Sequence, residues 1–237
     1  MCTLSYFPTE HGFTLTHNRD ERMNRPTSKN FQKQLIAGTE VYYPEDLEAH
    51  GSWIAFSKSG KAVCLMNGGE KDYNRQPPYR HSRGIVVLDI FKYPDMPGFY
   101  NDYNFTNLEP FTVLIREHHK LWKLSHDVDE TTLKELDIGQ MSIWSSTTLY
   151  SQEVRDKREA WFKRWLATNP TLSAQSIRRF HKSAGDGDQE NDLIMSRWGI
   201  LKTLSITQIA VHANKAQLTY EDFVQESMDQ IEVTLNL

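Results

Sequence analysis

The chain is short of cysteine, of long apolar runs and of charge excess, and each shortage removes a class of protein. Only Cys2 and Cys64 occur among 237 residues. Two cysteines build no disulfide framework and suit a reducing compartment, so a cytoplasmic location is expected. No apolar stretch approaches the ~18 residues of a membrane-crossing helix. No basic region followed by an apolar core opens the chain, so no secretory signal is visible. A net charge of −4 gives no electrostatic case for nucleic acid or for an anionic membrane. Neither a repeat nor a low-complexity linker interrupts the sequence. The expectation is one α+β domain over the whole chain, large enough for a sizeable core.

Strand signals dominate the first third. Residues 2–7 and 13–17 flank Thr9-Glu10-His11-Gly12, a hairpin turn. A second hairpin pairs residues 53–57 with 61–66 across Lys58-Ser59-Gly60, which places Cys64 in the core. Ser82 caps a segment running to Phe91 whose length favours helix over strand. Residues 94–110 read as loop with room for a short helix. Strands follow at 111–116, 120–125 and 139–145, then a helix over 151–168. In that helix Val154, Trp161 and Trp165 share one face, and Arg155 to Arg164 read as a solvated face. A second helix spans 172–182. Gly185 to Asp192 is an acidic loop without the terminal glutamate of a calcium loop. Strands at 203–212, 215–221 and 229–236 close the chain.

Two features carry chemistry. Cys2 follows the initiator, and methionine aminopeptidase removes Met1 when the next side chain is this small. The exposed residue would then hold a thiol, ordinarily near pKa ~8.5, and an α-amine near ~8 that can take its proton. The alternative is that Cys2 opens a buried strand as a small hydrophobe. The second feature is His17-Asn18-Arg19-Asp20-Glu21. It follows a strand, so it reads either as a turn held by side-chain hydrogen bonds or as a functional cluster. His118-His119 with His126 lacks a tight ligand spacing, so no metal site is expected.

Cys2, Asn18-Arg19-Asp20-Glu21 and Arg25-Pro26 begin an ordered series. Ala37-Gly38, Gly51-Ser52-Trp53-Ile54-Ala55, Gly60-Lys61-Ala62-Val63, Leu65-Met66-Asn67 and Arg83-Gly84 continue it. The series resembles the signature of the NRDE proteins, also called the transport and Golgi organisation (Tango) family. The match is strong over residues 1–91 and weak beyond. The resemblance implies a four-layer αββα sandwich of the N-terminal-nucleophile hydrolase type. Cysteine members of that superfamily, bile-salt hydrolases and penicillin V acylases among them, cleave linear carbon–nitrogen amide bonds.

Carried onto this chain, the resemblance makes Cys2 the nucleophile, Asp20 the carboxylate that orients its amine, and Asn67 the oxyanion donor. The alternation of strands 2–7, 13–17 and 61–66 is expected to bring Cys2, Asp20 and Asn67 together from neighbouring strands, with Arg19 or another nearby cation lowering the thiol pKa once Met1 is gone. His17, Asn18, Ser146 and Arg83 are the substrate contacts. Arg83 reads alternatively as an anchor for its helix.

The chain also departs from the pattern. His17 stands where the hydrolases carry arginine, and Arg19 is expected on the opposite strand face. Trp144-Ser145-Ser146 replaces Leu-Ser-Asn, and Lys202-Thr203-Leu204-Ser205 lacks the usual arginine. Weak or no hydrolysis of bile-salt and penicillin V amides follows. No cofactor is expected for a hydrolase. Eukaryotic relatives are linked to haem movement and to lipid or acyl-coenzyme A handling, so a carrier is the alternative. Haem would then take Cys2, His17 or Met66 as axial ligand. The partner is a small amide in one reading and a haem-like or lipid-like ligand in the other.

Overall fold

The computed structural model describes residues 2–236. Strands β1 (Cys2–Thr9) and β2 (Gly12–Arg22) form the first hairpin. Strands β3 (Gln32–Ile36), β4 (Thr39–Tyr43), β5 (Ile54–Ser57) and β6 (Ala62–Asn67) follow. Helices α1 (Arg83–Asp89) and α2 (Met96–Asp102) precede β7 (Phe111–Glu117), β8 (Lys120–His126), β9 (Thr131–Leu136) and β10 (Ser142–Ser145). Helices α3 (Gln152–Thr168) and α4 (Ala174–Ser183) come next. The chain ends on β11 (Ser196–Arg197), β12 (Leu201–His212), β13 (Lys215–Asp222) and β14 (Ser227–Thr234).

These elements separate into two compact units. The first joins the N-terminal segment up to Arg25 with Gln140–Val233. Its strands run in the order β10-β1-β2-β12-β13-β14, with β11 also paired to β12. Phe7 of β1 meets Phe162 and Trp165 of α3, and Ile177 and Phe180 of α4 complete the cluster. Burying each such side chain contributes about 1.5–3 kcal/mol, so the two helices are held to the sheet mainly by apolar contact. Ser151 caps α3, and Ser173 with Ser176 forms a reciprocal capping box on α4.

The second unit, Pro26–Gly139 with Thr234 onward, holds the sheet β3-β4-β5-β6-β7-β8-β9. Val63, Leu65, Val113 and Ile115 pack with Val86, Val87, Ile90 and Phe99 of the helical segment. Gly51 and Gly84, both in the ordered motif series, touch backbone to backbone. A Cβ on Gly51 would lie 2.4 Å from the Gly84 carbonyl carbon, and Ser52 N–H donates to Gly84 O at 3.0 Å. Those glycines serve close approach, which no larger residue permits.

Most expected elements form near the expected limits. Three corrections follow. Asn18 to Glu21 is not a turn: β2 continues through it, because β1 and β12 pair with these residues from both sides. Strands β3, β4, β9 and the two-residue β11 were not foreseen; β3 and β9 are the two edges of the second sheet and carry largely exposed, polar sequence, while β4 lies between β3 and β5 with Val41 and Tyr43 buried. Arg158 does not belong to a solvated face: it is 1% exposed.

Candidate active site

Cys2 opens β1, and its register partner on β2 is Arg19, while Leu4 faces His17. Directly opposed residues of an antiparallel pair share a face. Cys2, Arg19 and His17 therefore lie on one face of the sheet, and Thr3, Ser5, Asn18 and Asp20 on the other. The second face is the one that α3 and α4 cover. Arg158 of α3 donates to Thr3 Oγ1, and His181 of α4 bonds Ser5 and Asn18. The placement expected for Arg19 is thus overturned: residues 17 and 19, two apart on a strand, point the same way.

Asp20 is 1% exposed and bonded at both oxygens. Tyr150 OH donates to its Oδ2 at 2.7 Å, and Thr203 Oγ1 donates to its Oδ1 at 2.7 Å. The Arg158 guanidinium sits 3.6 Å from the centroid of the Tyr150 ring. Burial pushes the Asp20 carboxyl above its ordinary range, against the Arg158 charge and the two hydroxyl donors. The Cys2 and Asp20 side chains point to opposite faces, so they do not converge as expected. A backbone amine at the head of β1 lies in the plane of the sheet, however. Asp20 stands one register position past Arg19, beside that strand head.

Cys2 is 3% exposed. Burial pushes its thiol up and the Asp20 charge adds to this, while Arg19 opposes them. With Met1 in place the direction is opposite to the depressed value expected of a processed nucleophile. Ser146 N–H donates to Cys2 O at 2.9 Å, and Tyr150 N–H to Ser146 O at 3.2 Å. Residues 146–150 therefore tie the start of β1 to the phenol that holds Asp20. Leu204, where the pattern has arginine, falls in an irregularity of β12, whose register against β2 shifts between Thr203 and Ser205.

Asn18 is committed to α4 rather than to a substrate. Its Nδ2 donates to the carbonyls of His181 at 3.1 Å and Leu193 at 2.7 Å. Its Oδ1 therefore accepts from His181 Nδ1 at 2.6 Å, which leaves Nε2 to accept the Ser5 hydroxyl at 2.6 Å. This Ser–His–Asn order is that of a hydrolytic triad, but Ser5, His181 and Asn18 are each 0% exposed. It is a structural network. Glu21 Oε1 accepts the Arg22 N–H at 2.9 Å.

The remaining candidates belong to the second unit. Asn67 ends β6, in the other sheet, so it does not come from a strand neighbouring β1. Gly68 after it has φ +87°, the backbone turn that was its alternative reading. Arg83 bonds Pro110 O at 3.1 Å and Tyr73 OH at 3.4 Å and pairs with Glu109 Oε2 at 3.4 Å, an anchor at the start of α1. Trp53 and Met66 are buried in the core. Two cavities of this unit, about 450 and 380 Å³, are lined around His126 and around the Lys61–Glu117 ion pair, and by none of the candidate residues.

Sequence reasoning missed Tyr150, Thr203, Arg158 and His181. Arg158 left a signal: it lies four residues after Val154 and three before Trp161, in the middle of the apolar stripe. Tyr150 left none, since it reaches Asp20 from 130 residues away, and Thr203, 183 residues away, stands in the Lys202-Thr203-Leu204-Ser205 segment with nothing there to pair it with Asp20.

Comparison with known proteins agrees with this architecture. No curated protein matches the chain in sequence. A mutant conjugated bile acid hydrolase from Clostridium perfringens superposes with TM-score 0.62 at 8% identity, over 98% of this chain and 92% of its own. Penicillin V acylase from Agrobacterium tumefaciens gives 0.57 at 9% identity, over 98% and 86%. The Caenorhabditis elegans ortholog of N-acylethanolamine-hydrolyzing acid amidase gives 0.58 at 10% identity, over 88% and 92%. Such likeness shows the fold: α+β, of the αββα N-terminal-nucleophile hydrolase type, as the resemblance implied. Residues 1–229 match the model of the Transport and Golgi organisation 2 family, far beyond the stretch where its motifs are legible, and the chain belongs to that family.

Proposed function

We propose that the protein is a cysteine amidohydrolase acting on a linear carbon–nitrogen amide bond. One observation carries the reading. A buried carboxylate, Asp20, is fixed by two hydroxyl donors beside the head of the strand that Cys2 opens. A carboxylate held in this way suits the orientation of an α-amine, and a free amine is what processing of Met1 creates.

In this reading the amine takes the proton of the Cys2 thiol. The sulfur attacks the amide carbonyl, a C–S bond forms, and the proton passes to the nitrogen as the C–N bond breaks. Water then hydrolyses the thioester, releasing the acid and restoring the thiol. Arg19, on the face of Cys2, favours the thiolate. His17 and Ser146 flank the nucleophile's strand.

The neighbours' names supply a starting panel of bile-acid conjugates, penicillin V and N-acylethanolamines. The missing arginines make the first two poor substrates. The test is turnover by the Met1-processed protein, checked by intact mass, against its Cys2→Ser variant. Loss of nearly all turnover in Cys2→Ser supports the enzyme. No turnover of any amide, with stoichiometric haem or acyl-coenzyme A binding that survives Cys2→Ser, refutes it and favours the carrier.

A further inference from the structure

We infer that Arg158 is a positioning residue: its buried charge, carried through the Tyr150 phenol, keeps Asp20 a carboxylate able to hold the amine of a processed Cys2. The consequence at Cys2 rests on the amidohydrolase reading, whereas the charge arrangement stands without it. Arg158, Tyr150 and Asp20 are each 1% exposed. They come from α3, from the turn before it and from β2.

A buried guanidinium needs a countercharge, because an isolated ion is very costly to take out of water. None of the bonds of Arg158 goes to a carboxylate among the described residues. They reach the carbonyls of Asn191 and Asp192 and the Thr3 hydroxyl. The carboxylate of Asp192 itself accepts the Asp186 N–H at 2.9 Å. What the guanidinium meets instead is the Tyr150 ring, 3.6 Å from its centroid, and the hydroxyl of that ring donates to Asp20 Oδ2 at 2.7 Å. The order is cation, ring, hydroxyl, carboxylate. A cation against the ring draws electron density from it and strengthens the hydroxyl as a donor.

Asp20 has the complementary need. Burial favours its neutral acid, and the Arg158 charge is the largest influence against that, ahead of the Tyr150 and Thr203 hydroxyls. Tyr150 does not give up its proton instead, since burial and the Asp20 charge push its phenol well above the ordinary range. The other charged groups nearby do not take the part of Arg158. His181 is spent on Asn18 and Ser5. Arg19 and Glu21 share the Cys2 face of β2, and Lys202 is the register partner of Glu21. Arg197 lies 5.2 Å from the Tyr150 ring centroid, but it is only half-buried, so solvent screens it.

The test is urea unfolding of the full chain at pH 7.5 and 5, on the wild type, Arg158→Gln, Asp20→Asn and the double variant. At pH 7.5 Arg158→Gln should lower the folding constant about tenfold or more beyond its effect in the Asp20→Asn chain. That excess should shrink at pH 5, where an Asp20 deprived of its cation takes up a proton in the folded state. His181 also feels the Arg158 charge, but equally in both backgrounds, so it cancels. Equal effects in both backgrounds, or an excess independent of pH, overturn the inference. So does an equal excess for Arg197→Gln. Should Arg158→Gln not fold, Tyr150→Phe takes its place. Its effect must likewise be larger with Asp20 than with asparagine at pH 7.5, and equality overturns the inference. In processed protein with turnover, Arg158→Gln should move the acid limb of the rate profile to higher pH; an unmoved limb overturns the role at Cys2. The coupling without turnover of any amide sinks only the amidohydrolase reading.

Discussion

Acidification should destabilise this protein through His181, and the size of the effect follows from its surroundings. Asn18 Nδ2 is spent on two carbonyls, so the Nδ1 of His181 carries the proton and Nε2 accepts from Ser5. Burial first, then the His17 and Arg158 charges, pull its pKa from 6.5 down to about 3. The folded state therefore binds fewer protons than the unfolded one. The associated stability is whole above pH ~6.5 and is lost as pH falls toward 3. Each unit is worth about 1.4 kcal/mol, so about 2 kcal/mol disappears by pH 5 and up to about 5 in all. Domains hold only about 5–15 kcal/mol, so this loss is a large fraction. The assay is urea unfolding from pH 7.5 to 4.5 on the wild type and His181→Gln. Asp20, whose folded pKa is raised, contributes with the opposite sign, but it is common to both chains and cancels in their difference. The wild-type advantage should shrink by about 2 kcal/mol between pH 6.5 and 5. Parallel curves would refute the neutral buried imidazole.

Four further outcomes are expected. Arg158→Met leaves the carbonyls of Asn191 and Asp192 and the Thr3 hydroxyl without their donor, and should cost about 3–5 kcal/mol in urea unfolding; a cost below 1 would show that the guanidinium is replaceable. Tyr150→Phe removes one of the two hydroxyls on Asp20 and should cost about 1–3 kcal/mol, with an unchanged melting temperature counting against the bond. Gly51→Ala drives a methyl into the Gly84 backbone and should cost about 2 kcal/mol or more, against no change if that loop is slack. Iodoacetamide should label Cys2 more slowly in native protein retaining Met1 than in processed protein, because burial holds the thiol up; equal rates across pH 7–9 would remove the case for a tuned nucleophile.

Local pattern in the sequence determined much of this protein. Alternation and turn residues placed the β1–β2 and β5–β6 hairpins. The Ser82 cap placed α1 and the Val154–Trp161–Trp165 stripe placed α3, and the ordered motifs pointed to the family and its fold. Edge strands β3 and β9 escaped because an edge has less core to cover and their sequence carries no apolar alternation, and β4 escaped too although Val41 and Tyr43 are buried at alternate positions. Tertiary structure alone decided what the Asn18-Arg19-Asp20 run does. Successive residues of a strand face opposite ways, so Arg19 sits with Cys2 while Asn18 and Asp20 turn to the helices. Their partners, His181, Tyr150 and Thr203, come from more than a hundred residues away. Only strand pairing and helix packing bring such groups together, and no spacing along one chain encodes which of them will meet.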